Sequence, residues 1–149
     1  MSAGTAEPAI AGVLRRILLA IFVAAALGTL AELLLLGHYE DRWQLVPLGL
    51  LGAGPLVALW HSLRPSVTTL RAFRALTWCF VAGGLIGTYL HYTGNAEFEL
   101  EMYPSRAGLE LFWESLRGAT PTLAPAGLAW LGLIGLAYAF RHPGLNAED

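Results

Sequence analysis

Residues 17–36 read ILLAIFVAAALGTLAELLLL, twenty consecutive positions in which Glu32 is the only charge. As a helix this stretch rises about 30 Å, the thickness of a hydrocarbon core. Three more stretches, 45–63, 75–92 and 119–140, are apolar over a similar length. The chain as a whole agrees: of its 149 residues 56% are hydrophobic and 13% charged, with a mean hydropathy of +0.56. That balance excludes a solvated, disordered chain and disfavours a soluble domain. The expected fold is an all-α integral membrane protein forming one domain. Its four transmembrane helices are arranged as two antiparallel hairpins, flanked by flexible tails at 1–12 and 143–149.

The second stretch carries independent marks of a crossing. Trp43 and Trp60 are separated by about 25 Å along a helix, the distance between the two interfacial belts. Pro47 falls in the first turn, where its missing N–H is harmless, and Pro55 predicts a kink. The first stretch follows Arg15 and Arg16 as a signal peptide would. It continues too far past Val23-Ala24-Ala25-Ala26 for a secretory h-region, so it is expected to stay as an anchor.

Arginine placement orients the chain. Arg15, Arg16, Arg64, Arg71, Arg74 and Arg141 fall on one side of these spans, against Arg42, Arg106 and Arg117 on the other. Both termini and the 64–74 loop are therefore expected in the cytoplasm, the protein residing in the inner (plasma) membrane. No lysine is present and the formal net charge is -2, which leaves no basic stripe for nucleic acid. Cys79, the single cysteine, can form no internal disulfide and reads as a small buried apolar residue.

The outer side is acidic. In its long segment, 93–118, Glu97-Phe98-Glu99-Leu100-Glu101-Met102-Tyr103 alternates with period two, predicting an extended run with three carboxylates on one side. Beyond Pro104, Ser105 is placed to cap an outer interfacial amphipathic helix. Leu109, Phe112, Trp113 and Leu116 form its apolar face, opposite Arg106, Glu110, Glu114 and Arg117. The His-Tyr pairs closing spans one and three, and the aromatic-basic endings of spans two and four, make a weak repeat between the hairpins.

Glu32 is the sharpest chemical signal, because a carboxylate inside an apolar span must find protein or water. Ala24, Gly28 and Glu32 share one helix face, and Gly83, Gly87 and His91 share another. If these small-residue ladders pack together, Glu32 meets His91 as an ionisable intramembrane pair. A second candidate site lies on the outer face, where His38, Tyr39, Glu40, Asp41, Asn95, Glu97, Glu99 and Glu101 offer oxygen and nitrogen ligands for a cation or a polar ligand. The histidines pair by depth, His38 with His91 and His61 with His142, as in four-helix haem proteins. Their positions beside Tyr, Trp and Arg at span ends fit interfacial residues more simply. Gly49, Gly52 and Gly54 read as helix-packing positions.

No HExxH, GxSxG, P-loop or paired cysteine is present. The leading expectation is a non-catalytic accessory or ligand-binding membrane subunit with an acidic outer face, surrounded by lipid and assembling with itself or a larger complex. Its rivals are a proton- or cation-coupled carrier using Glu32 and His91, and a metal- or haem-binding redox protein. The cofactor, if any, is left unspecified.

Overall fold

The computed structural model describes residues 3–145, with side chains from residue 9 onward. All the regular structure among them is helical: α1 (Ala3–Leu35), α2 (Leu45–Leu63), α3 (Val67–Met102), α4 (Gly108–Leu116), α5 (Ala126–Ala139) and a 3-10 turn, Pro143–Leu145. Three of these helices are long and apolar enough to cross a membrane: α1 over Ala9–Leu35, α2 and α3. The stretch expected as a fourth span is shorter as a helix. Pro121 and Pro125 lack the N–H that regular winding needs, so the chain from 121 to 125 descends by tight turns, among them Ala124 N–H to Pro121 and Ala126 N–H to Leu123, that lead into the 14 residues of α5. Residues 3–12 and 143–145, expected as tails, are wound into α1 and into the 3-10 turn that packs on α3; residues 146–149 lie outside the described part.

Four helices pack in a ring, α1 on α2, α2 on α3, α3 on α5 and α5 back on α1. The α3–α5 side is the tightest because glycines remove the side chains that would separate the backbones. A Cβ on Gly84 would lie 2.4 Å from the Ala129 nitrogen, and one on Gly132 would lie 2.6 Å from the Thr77 carbonyl. Along this seam Gly87 meets Pro125, Gly135 meets Thr77 and Gly144 meets Leu70, so α5 descends antiparallel to α3. In the centre Phe22 of α1 reaches across to Phe73 and Phe80 of α3, with ring centroids 5.2 and 5.4 Å apart. Gly54 on α2 makes room for these rings: a Cβ there would stand 2.9 Å from Phe80. Gly49 and Gly52 have no such neighbour. α2 runs without interruption through Pro55.

The outward surface is apolar over most of the helices. Leu35, Leu56, Leu85 and Trp130 are among many large side chains left exposed, which water would penalise and lipid would not. Cys79 belongs to this outer surface and is not buried.

The acidic segment departs most from its predicted form. Residues 97–102 are not extended; they are the last turns of α3, whose 36 residues make it about 54 Å long. Glu, Leu and Met are good helix formers, and the i→i−4 ladder already running through the span continues over them until Pro104 forbids helical geometry at Tyr103. In a helix the three carboxylates cannot share a face. Glu97 and Glu101 are exposed, while Glu99 turns inward and pairs with Arg106. Arg106 also bonds Glu110 at 3.3 Å and stacks 3.9 Å from the Tyr103 ring, clamping the start of α4 to the end of α3. Ala107, not Ser105, occupies the N-cap of α4, and its side chain makes no capping bond. α4 packs on α3, with Ser115 buried and Leu109, Phe112 and Trp113 exposed.

Candidate functional site

At the end of the ring where α1 turns into α2, a cavity of about 460 Å³ opens between α1, α2, α3 and the start of α5. The turn is built by Gly37. At φ +66° it takes the left-handed position that terminates α1, allowing His38 N–H to bond the Leu33 carbonyl at 2.9 Å and Gly37 N–H to bond Leu34 at 3.2 Å. This double closure sets His38 at the cavity edge. The following loop is held by side chains: Gln44 Oε1 accepts from the backbone N–H groups of Glu40 and Asp41, and Asp41 Oδ1 accepts from Trp43 N–H.

The lining divides by polarity. Leu33, Leu51, Ile86, Leu90 and Leu128 form an apolar body, whereas Thr29, His38, Asp41, Gln44 and His91 supply polar groups. His91 places its Nδ1 3.3 Å from the Pro121 carbonyl. A carbonyl only accepts, so Nδ1–H is the donor in this contact. An apolar chamber with a few convergent donors and acceptors suits an amphipathic molecule better than an ion.

The structure thus brings His38, Asp41 and His91 of the predicted ligand residues into one site, with Gly83 and Gly87 of the predicted packing ladder in its wall, and leaves the other predicted residues outside it. Glu32 is exposed on α1 and lies outside the cavity. The expected ladder contact is absent: a Cβ on Gly28 meets nothing within 4 Å, and Ala24 is exposed, while Gly83 faces Leu50 and Leu128 and Gly87 faces Pro125. α1 and α3 lie across the ring from one another, and the small face of α3 is already covered by α2 and α5. Tyr39 and Glu40 are exposed in the loop.

Asn95, expected as an outer ligand, is 3% exposed and occupied. Its Oδ1 accepts from Thr120 N–H and Oγ1–H, and its Nδ2 donates among the Ser115 and Thr120 carbonyls and Thr122 Oγ1, all at 2.7–3.1 Å. Among the described residues no three His, Cys, Asp or Glu side chains converge as metal ligands.

The other histidine pair meets at the opposite end. His61 and His142 have ring centroids 5.9 Å apart at 74°, both against Tyr138, and His61 Nδ1 lies 2.8 Å from Thr69 Oγ1. This is an edge-to-face cluster, with no gap for a macrocycle between the imidazoles. His142 is held below the ordinary imidazole value by burial first, then by Arg15 and His61. Sequence reasoning missed Thr29, Trp43 and Gln44 as cavity residues; the visible signal for the last two is a short polar loop between two apolar helices, and Thr29 is a lone hydroxyl within α1.

No protein-family model, curated protein or solved structure matches this chain.

Proposed function

We propose that the chain is a four-span protein of the plasma membrane, with both termini cytoplasmic, that binds a membrane-soluble amphipathic ligand at its outer, acidic end. It serves as a ligand-binding or accessory subunit. The observation that carries this reading is the cavity itself, apolar toward Leu51 and Leu128 and polar at His38, Asp41, Gln44 and His91. A lipid-derived or isoprenoid-like molecule with a hydrogen-bonding head fits that division, its tail among the leucines and its head between the two imidazoles. The arginine asymmetry supports the orientation, and the wound turns from 121 into α5 supply the backbone for a fourth crossing. Glu97 and Glu101, on the part of α3 that outruns the hydrocarbon thickness, give the outer end its charge.

Gly127 provides the test. It lines the cavity, and a Cβ there meets nothing within 4 Å, so Gly127→Leu adds a bulky side chain to the cavity wall starting from open space. Leucine also favours a helix over glycine by roughly 0.8 kcal/mol, so folding should not suffer. Organic extraction and mass spectrometry of the wild-type protein purified from membranes should recover an amphiphile in near-stoichiometric amount, and Gly127→Leu should carry little or none. Equal recovery from the two proteins would reject the cavity as the binding site.

A further inference from the structure

A second cavity, about 500 Å³, lies at the opposite, arginine-rich end between α3 and α5. Arg71, Arg74 and Trp78 reach it from one face of α3, and Arg141 from the end of α5. None of the described residues lining it is acidic. Arg141 is the only non-glycine among the described residues in the left-handed region, at φ +46°, a conformation that costs an L side chain about 1 kcal/mol. The fold holds it there while its carbonyl accepts from Arg15 Nη2 at 3.0 Å and its guanidinium lies 5.5 Å from the Phe140 ring.

The surroundings of these cations are lipid-like. Trp78 and Phe140 are 57% and 68% exposed, placing two aromatic surfaces beside the guanidinium groups as at a membrane interface. Two turns further into the span the same faces continue through the exposed Leu85 on α3 and Leu133 on α5. Cations at the mouth of a groove and an apolar track leading away from it match a phosphate head and an acyl chain.

We propose that this groove binds an anionic phospholipid of the adjoining leaflet, its phosphate held between Arg74 and Arg141 and one acyl chain lying over Trp78 toward Leu85 and Leu133. The site requires the membrane placement proposed above but is independent of the ligand cavity at the other end, so each can fail alone. Binding is read by native mass spectrometry of the full chain released from nanodiscs of phosphatidylglycerol or of phosphatidylcholine. Thermal melts with added phosphatidylglycerol or with inorganic phosphate separate a lipid from a free anion.

Phosphatidylglycerol should remain bound and raise the melting temperature, while phosphatidylcholine and inorganic phosphate do neither. Arg74→Gln should weaken retention by roughly fivefold, the contribution of one cation near the lipid surface. Arg141→Gly is the decisive variant. It relieves the left-handed strain, so the fold should be at least as stable, yet it removes the guanidinium and should release the lipid. Retention of phosphatidylglycerol at wild-type levels by Arg141→Gly, equal retention of phosphatidylcholine, or equal protection by inorganic phosphate would each overturn the assignment.

Discussion

Asn95 shows how a polar residue in an apolar chain acquires a structural role. Its amide ties α3 to the end of α4 and to the turn that leads into α5, and Gly118 must be glycine there because a Cβ would stand 2.6 Å from the Asn95 side chain. Asn95→Ala leaves the buried Ser115 and Thr122 groups without this partner and should cost about 2–3 kcal/mol. Thermal melts in detergent would measure that loss, with faster proteolysis between 104 and 118 as its local sign. His142 makes a different prediction. Its folded-state pKa is depressed, so the unfolded chain binds the proton more readily. The stability this group contributes is full above the unfolded imidazole value of about 6.5 and lost as pH falls below it. Melting temperature should therefore drop as the medium becomes mildly acidic, and His142→Gln should flatten that drop.

Among the elements, the α3–α5 seam and the outer face of α1 look alike as patterns of small residues and differ entirely in packing. Gly84 lies against the Ala129 backbone, whereas Gly28 faces open space. Gly84→Leu should force the helices apart at a cost of several kcal/mol, since backbone cannot yield as a flexible side chain does. Gly28→Leu should leave the melt unchanged or slightly raised, glycine being a poor helix former. Similar melts for the two variants would show that the seam does not hold the bundle. The end of α3 carries a related lesson. Alternation of Glu with Phe, Leu and Met suits either period when Glu, Leu and Met favour helix, and the hydrogen-bond ladder entering from the span decides between them.

For the whole molecule, the proposed topology sets which end sees which solution. In a chain with Cys79 replaced, a cysteine at position 105 should react with a membrane-impermeant maleimide added to intact cells, and one at position 66 only after permeabilisation. The reverse pattern would exchange the two cavities between the compartments. The ends are chemically distinct in either case: one joins His38, Asp41 and His91 around an apolar chamber, the other gathers Arg71, Arg74 and Arg141 beside exposed aromatics.

Local chemistry written along the chain determined much of this. Apolar stretches must satisfy their backbone within themselves and become helices, Pro104 ends α3, and the arginines collect toward one end whatever the packing. Which helices become neighbours was decided only by the tertiary structure. Helical periodicity names a face but not its partner, so Gly28 and Gly87 look complementary in sequence. Ala129 and Pro125 covered Gly84 and Gly87 instead, because an antiparallel return beside α3 brings the backbones closer there than any contact across the ring allows. The same closure drew His38 and His91 to one cavity and left Glu32 outside it. A cavity is the space that packed helices fail to fill, and its shape and lining exist only once all of them are in place.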